Sequence, residues 1–376
     1  MKFFGRKAAR VSARPALARL PFGWIGGAIG EVPRNYETLV RDGYERNAIA
    51  QRAVRIVAEG AGSAPVLARP LAHEALRLIA GAAGQSLIET AAMHLLLHGN
   101  AYVGTTCDAD GRPAELFPLR PERVSVEPAE NGWPRAYLYK VGERVMRYPA
   151  VTEDGRPGLL HLKALSPLDD HYGLGCLGAA AQAVAVHNAA GQWHKALLDN
   201  AARPSGALVY DPGEAGAALS AEQFERLRAE LEASFQGAGN AGRPMLLEGG
   251  LKWQALSLTP ADMDFVETKA AAAREIALTF GVPPMLLGLP GDSTYANYQE
   301  ANRALWRLTI LPLAGKILGG LQAHLNGWWA DLSLSIDRDA IPALAADRER
   351  VWAQVAGADF LSGEEKRRML GLDHGQ

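Results

Sequence analysis

Two hydrophobic periods alternate along this chain, and the switches between them divide it into segments. From Tyr36 to Gln85 the apolar positions recur at helical spacing, broken between Gly60 and Pro70 by turn residues around a short apolar strand. Ser86-Leu-Ile-Glu89 reads as a capping box that starts a helix running to about His98, where Gly99-Asn100 stops it. The period then shortens to that of strands. Ala101 to Thr106 predicts a strand, Asp110-Gly111 and Asn131-Gly132 are hairpin turns, and His161 to Leu165 is a further short strand. Residues 36–175 therefore read as one α+β unit.

Helical spacing returns from about Cys176 to Asn200. Alanine fills ten of positions 176–202, and Val186, Ala190, Trp193 and Leu197 share one stripe. So many small residues predict close helix approach. Pro204 to Asp211 is extended. Ser220, with Gln223 in capping-box position, opens a helix whose stripe is Phe224, Leu227, Leu231 and Phe235, with Gly237 as its stop. Pro244 to Gln254 reads as a hairpin turning at Gly249-Gly250.

Thr259-Pro260 supplies a cap and a first-turn proline for the next helix, with Val266, Ala270, Ala273, Ala277 and Phe280 along its stripe. Gly281 caps its C-terminus, and Pro283-Pro284 forbid continuation. The polar loop Leu289-Pro-Gly-Asp-Ser-Thr-Tyr-Ala-Asn297 follows. A long helix then runs from about Ala296 to Trp328, and Pro312 predicts a kink in it. Leu332, Leu334 and Ile336 alternate as a short strand, and the last forty residues read as helices, with Ser362-Gly-Glu-Glu365 a further capping box.

Composition adds boundaries to this picture. With 376 residues, 48% hydrophobic and 21% charged, the chain can bury a sizeable core in one large domain or two to three ordinary ones. The net charge of −2 gives no global field toward nucleic acid. Cys107 and Cys176 lie far apart, which suggests a reducing compartment and no disulfide framework. No uncharged apolar run reaches about 18 residues, so no membrane span or membrane partner is expected. Lys2, Arg6, Lys7, Arg10, Arg14 and Arg19 stand without an acid, so residues 1–35 read as a flexible basic arm.

Chemical motifs are few. Gly173-Leu-Gly175-Cys-Leu-Gly178 matches the dinucleotide pattern, with Asp199 about twenty residues on. Yet Ser166 to Tyr172 separates the preceding strand from the first glycine, and Asp169-Asp170 would repel a pyrophosphate. His94 and His98 share a helix face, but Leu95 stands where a zincin needs glutamate; His187 and His194 have no evident third ligand. There is no nucleophile elbow, no Walker loop and no acidic cluster for two metals. No catalytic residue, metal or cofactor is expected, and the chain does not read as an enzyme.

The wording Gly281-Val-Pro-Pro-Met-Leu-Leu-Gly288 and the loop after it resemble the tunnel-loop region of tailed-bacteriophage portal proteins. Leu95-Leu-Leu-His-Gly-Asn-Ala-Tyr102, Leu119-Arg-Pro-Glu-Arg-Val124, and His161 with Ser166-Pro-Leu168 and Gly173-Leu-Gly175 resemble that family in the same order. Cys176-Leu177 departs from its usual Ser-Pro. Asn200, Pro204, Gly206 and Leu208 match the exit from its first stem helix, and Leu361 to Arg367 with Gly371-Leu372 its C-terminal ending. The short, compact chain also looks like portals of prophage-derived gene transfer agents.

The resemblance implies an α+β portal-type fold and a dodecameric ring at one capsid vertex, assembled in the bacterial cytoplasm and carried in a virion or gene transfer agent particle. Double-stranded DNA would pass through it in packaging and ejection without sequence reading. Its partners would be further copies of itself, the major capsid protein, the large terminase and the head–tail adaptor. The arm 1–35 would precede a wing over 36–175, a first stem helix over 176–203, a clip over 204–258 and a second stem helix over 259–281. The tunnel-loop region would be 282–297, the long wing helix 298–330 and the helical crown 331–376. Leu289, Pro290, Gly291, Asp292, Ser293, Thr294, Tyr295 and Asn297 would line the tunnel loop. Asp262, Asp264, Glu267, Lys269 and Arg274 would line the stem channel, and Gln236, Asn240, Arg243 and Glu248 would face terminase and adaptor. Across 178–200 and 260–281 five acids face three bases, a weakly acidic wall over which a phosphate backbone would slide. Two competing readings are a nucleotide-dependent enzyme using Gly173 to Gly178 and a non-viral oligomeric scaffold.

Overall fold

The computed structural model describes residues 17, 35–70, 72–80, 86–199, 206–210, 220–235, 251–255, 265–289 and 294–370. It divides into two compact units, one of Met1–Ala181 with Ile276–Gln376 and one of Gln182–Glu275.

The first unit begins with α1 (Tyr36–Val40), capped by the Asn35 side chain, which passes straight into a π turn over Arg41–Glu45. Helix α2 (Ala48–Gly62) is capped by buried Asn47, whose Oδ1 accepts the Ala50 amide at 3.0 Å. Its buried face is Ala50, Ala53, Val54, Val57, Ala58 and Ala61. These short side chains let α2 lie against the aliphatic helix α4 (Leu87–Leu97), which buries Leu87, Ile88, Leu95 and Leu96. Strand β1 (Val66–Arg69) and α3 (Ala72–Ala80) lie between α2 and α4 in sequence. Ser86 Oγ accepts the Glu89 amide at 3.0 Å, as its motif predicts.

Strands β2 (Asn100–Cys107) and β3 (Pro113–Leu119) form the hairpin predicted at Gly111, and β7 (Leu160–Lys163) pairs with the other edge of β2. Strands β4 (Val124–Pro128), β5 (Pro134–Val141) and β6 (Arg144–Pro149) make a second antiparallel sheet. The β4–β5 turn falls at Asn131-Gly132 as predicted. The β5–β6 turn at Gly142, φ +59, was signalled in sequence by that glycine alone. A core of Tyr102, Leu119, Val124, Val126, Tyr137 and Leu159 joins the two sheets.

Helix α5 (Cys176–Asp199) crosses from the first unit into the second. The predicted stripe differs from the observed one. Val186 is 39% exposed, and the buried face is Leu177, Ala180, Ala181, Ala183, Val184 and Ala190. In a helix this rich in alanine, large residues do not mark the inner side, because it is the small ones that admit a close neighbour.

Within the second unit β8 (Gly206–Tyr210) pairs antiparallel with β9 (Leu251–Ala255), and α6 (Ala221–Phe235) lies between them in sequence. Ser220 and Gln223 form their capping box in both directions, at 2.9 and 3.2 Å. β9 pairs with β8; the turn at Gly249-Gly250 and the first strand of the hairpin predicted over Pro244 to Gln254 lie outside the described residues. The Thr259-Pro260 start also lies outside them.

Helix α7 (Phe265–Thr279) leads back into the first unit. Its buried residues are Ala272, Ala273, Ile276 and Ala277, with Phe280 just beyond its end; Ala273, Ala277 and Phe280 are as the predicted stripe has them, whereas Val266 is 72% exposed. Helix α8 (Tyr295–Leu305), a π turn over Trp306–Ile310 and α9 (Leu311–Leu325) then run without a break. Pro312 cannot supply the amide that the Leu308 carbonyl would accept, and a π turn lies just upstream of it. This continuous helix holds an 18-residue window of mean hydropathy 1.3, so by length and composition alone it could cross a membrane. The absence of a long uncharged run had suggested otherwise. Leu305, Ile310, Ile317, Leu318, Leu321 and Leu325 are buried on one face, with α9 packed on α2, α4 and β7, while Leu308 is 77% exposed. Strand β10 (Ser333–Ile336) pairs with β1, and α10 (Ala345–Ala356) and α11 (Gly363–Met369) close the chain, the latter on the full Ser362–Glu365 capping box.

Candidate functional site

Three of the motifs singled out in sequence meet at one buried point. Asn100 is fully buried. Its Oδ1 accepts the Gly173 amide at 2.8 Å and lies 3.0 Å from His161 Nε2, which therefore carries the proton. Its Nδ2 donates to Gly173 O at 3.2 Å and His98 O at 3.3 Å, and lies 3.1 Å from His98 Nδ1. The side-chain amide thus holds both backbone groups of Gly173. The Tyr102 ring stacks on His161 at 4.3 Å, and Tyr137 meets both edge-on. Burial pushes the His161 imidazole down to about 3, helped by Lys163, His98 and His171.

Gly173 and Gly175 of the dinucleotide-like motif serve this junction, whereas a Cβ on Gly178 would meet nothing within 4 Å. A Cβ on Gly175 would lie 2.6 Å from Leu97 O, and one on Gly99 2.5 Å from the Gly175 nitrogen; Gly173 is closed off by Gly99 and Ala164 backbone. The loop lies backbone to backbone on the α4–β2 turn, which only glycine permits. Its Gly173 amide donates to Asn100 and not to a phosphate, and the space beside Gly173 and Gly175 is filled by the α4–β2 turn. The nucleotide reading gains nothing from this loop.

The His94 and His98 pair is also absorbed by the fold. His94 is pushed down to about 4 by burial, with His98 and Arg120 adding to it, and His98 meets the Tyr36 ring edge-on at 4.7 Å. His324, 2% exposed, lies 2.7 Å from Thr105 Oγ1, and burial pushes it down to about 4. Among the described residues no group of three or more His, Cys, Asp or Glu is placed to hold a metal. Both cysteines are free.

The segment between α7 and α8 is built as its sequence predicts at both ends. Gly281, φ +65, ends α7, with its amide on Leu278 O at 3.0 Å and the Val282 amide on Ala277 O at 2.9 Å. A 3₁₀ turn over Pro284–Leu287 closes on left-handed Gly288. Thr309 Oγ1 donates to Gly281 O at 2.8 Å and would lie 2.7 Å from a Cβ at Gly281. Gly281→Ala is therefore expected to destabilise the chain by about 1–3 kcal/mol. A urea midpoint unchanged from the parent would refute this.

Leu289, Thr294, Tyr295 and Asn297 are described; Pro290, Gly291, Asp292 and Ser293 lie outside the described residues. Thr294 caps α8 by accepting the Asn297 amide at 3.2 Å, so its hydroxyl oxygen is engaged in the helix start. Tyr295 is 78% exposed, with its hydroxyl accepting from Gln299 Nε2 at 3.1 Å. Tyr298, which the sequence reading passed over, is exposed one turn along.

In the second unit Glu267 and Arg274 stand exposed on one face of α7, seven residues apart. Lys269 is half-buried and reaches α5. Its ammonium lies 3.7 Å from where a Gly191 Cβ would be and helps, after burial, to hold His187 below its usual range. Asp262, Asp264, Gln236, Asn240, Arg243 and Glu248 lie outside the described residues.

The glycine-packed junction is a buried polar tie within an α+β fold. Comparison with known proteins gives the family. The family model for phage portal protein matches residues 48–371. An uncharacterised protein of Rickettsia bellii is 39% identical over 349 residues, 88% of each chain. A solved chain from the neck of a native gene transfer agent particle, computed with C12 symmetry, is 48% identical, with TM-score 0.71, 90% of this chain and 94% of that one covered. A portal protein of the HK97 family from Corynebacterium diphtheriae shares the fold alone, at 16% identity, TM-score 0.57, and coverage of 83% of this chain and 100% of that one. The chain belongs to the phage portal protein family, and its fold is the α+β fold of those structures.

Proposed function

We propose that copies of this chain close into a dodecameric ring at the neck of a virion or gene transfer agent particle, and that the ring is the conduit for double-stranded DNA. The observation that carries this reading is the near-full-length similarity to a chain of a neck computed with C12 symmetry; the neck of the empty particle was computed with C6, a subgroup of it. In this reading the first unit without the arm is wing and crown, α5 and α7 are the stem, and β8, α6 and β9 belong to the clip. The loop 289–297 edges the tunnel. The clip docks large terminase and then the head–tail adaptor, and the wing meets the major capsid protein. The chain itself catalyses nothing.

Negative-stain microscopy of purified protein at high concentration tests the ring. Class averages with twelve-fold rings and a central hole are expected. Monomers alone, persisting on co-expression with the capsid protein, would count against it. The wall's acidity is tested by Asp262→Lys with Asp264→Lys. Added cations would exchange counterions with DNA phosphates and grip the passing duplex, with a slope of about 0.9 per contact in log K against log salt. Packaged DNA yield is expected to fall, and a yield equal to the parent's would rule out these two positions.

A further inference from the structure

Two exposed surfaces of the first unit have no use in the conduit as described so far, and they are opposite in charge. One is the loop between β7 and α5. Leu165 is 87% exposed, Leu168 64% and Leu174 56%. The loop that carries them is firmly built. Asn100 holds both backbone groups of Gly173, and Ser166 Oγ accepts the Asp169 amide at 3.2 Å. Asp169 Oδ1 accepts the His171 and Tyr172 amides at 2.7 and 3.0 Å, and the Tyr172 hydroxyl accepts the Val126 amide of β4 at 2.9 Å. The leucines are therefore held out on fixed backbone, and covering them orders little new chain. From Ala164 to His194 the charged residues are Asp169 and Asp170, with no Lys or Arg.

The other surface is the outer face of the helix that runs through α8 and α9. Leu308 is 77% exposed. Pro312, Gly315, Gly319 and Ala323 follow it into solvent at spacings of three and four, with Lys316 beside them. A Cβ on Gly315 or Gly319 would meet nothing within 4 Å, whereas one on Gly320 would run into Leu162 of β7. From Ala301 to Ala330 the cations are Arg303, Arg307 and Lys316, with no acid. Arg303 is engaged by Glu300 at 2.9 Å, while Arg307 and Lys316 are exposed and Lys316 has no ion pair among the described residues. Partial burial holds the Lys316 ammonium below its ordinary range, so a carboxylate arriving there would meet a charge partly stripped of water.

We propose that the leucine loop of one copy docks on the outer α8–α9 face of the next copy, with Asp169 and Asp170 facing Arg307 and Lys316. The inference rests on the ring reading above and names the two faces that meet in it. Both halves of the contact lie on one chain, and their signs choose the pairing. Loop on loop would set acid against acid, and helix on helix would set Lys316 against its own copy. Loop on helix pairs opposite charges, and it is head to tail, the kind of contact that a cyclic ring requires. The leucines enter the room that Gly315 and Gly319 leave open, and apolar surface that neither face covers by itself leaves water.

The test uses full chains carrying Cys107→Ser, because Cys107 is an exposed thiol. One also carries Leu168→Cys and the other Gly319→Cys, positions with room for the new side chain. The chain with Cys107→Ser alone is the blank for Cys176. Mixed and treated with a short bismaleimide, the two variants are expected to give a covalent dimer that neither gives alone. A chain carrying both cysteines is expected to give a ladder of multimers. A mixture that stays monomeric overturns the contact, as does an equal yield of dimer from either variant alone. Leu168→Asp is expected to cut the fraction of chains in rings at least about tenfold, read by negative stain. Lys316→Glu is expected to cut it less, and Asp170→Lys to restore what Lys316→Glu loses. A ring fraction unchanged by Leu168→Asp overturns the proposal; where the parent forms no rings, the cross-link decides. Rings without the cross-link refute this contact and leave the conduit reading standing, whereas the cross-link without closed rings does the reverse.

Discussion

Asn100→Ala is expected to cost the first unit about 3–5 kcal/mol of unfolding free energy. Truncation strips partners from the Gly173 amide, from His161 Nε2–H and from the Gly173 and His98 carbonyls, all in or beside a buried junction. Each buried group left unsatisfied costs about 1–3 kcal/mol, and water entering the small cavity recovers part of that. Tyr102→Phe is the matched contrast. The Tyr102 hydroxyl is buried without a hydrogen-bond partner, so its removal is expected to be neutral or stabilising although the ring lies on His161. Urea unfolding of the two variants beside the parent decides it. A loss under about 1 kcal/mol for Asn100→Ala would mean that the junction is not a stability centre.

Acid is expected to destabilise the first unit well before the carboxylates titrate. His94, His161 and His324 are held near 4, 3 and 4 in the folded chain, against 6.5 for free imidazole, chiefly by burial. The folded state keeps them neutral, so below about pH 6.5 the unfolded chain binds protons that the folded chain refuses. Their contribution is complete above pH 6.5 and is lost as pH falls toward 4, flattening there for His94 and His324 and nearer 3 for His161. Each imidazole contributes a slope of at most about 1.4 kcal/mol per pH unit, so three together approach about 4. Urea midpoints at pH 7.5, 6 and 5 measure this, and His161→Gln is expected to remove about a third of the slope. A flat midpoint across that range would show that the three rings take up protons without leaving their sites.

The hydrophobic pattern located most elements to within a few residues because local rules dominate there. Ser220, Thr294 and Ser362 each cap the helix they precede, and Gly281 ends the one it follows. The predicted stripe of α7 holds at Ala273, Ala277 and Phe280 and fails at Val266, and that of α5 holds at Ala190 and fails at Val186; both misses are β-branched residues left exposed on helices that bury alanines beside them. The family was legible because the order of Gly-Asn-Ala-Tyr, His161, Gly173-x-Gly175 and Gly281 to Gly288 is a property of the chain itself. The sequence does not say which way the proposed channel residues face; Lys269 reaches α5.

Sequence alone determined where the helices after Ser86, Ser220 and Ser362 start and where the one before Gly281 stops, where β2–β3 and β4–β5 turn, and which family the chain joins, since each depends on neighbours in the chain. Only the tertiary structure decided what the motif residues do. Asn100, His161 and Gly173 are up to 73 positions apart, and their hydrogen bonds exist only once β2, β7 and the loop before α5 are packed together. A glycine written as G-x-G reads the same whether phosphate or another stretch of backbone fills the space beside it. Here folding brings the α4–β2 turn into that space, and the close approach of two backbones settles the role of those glycines.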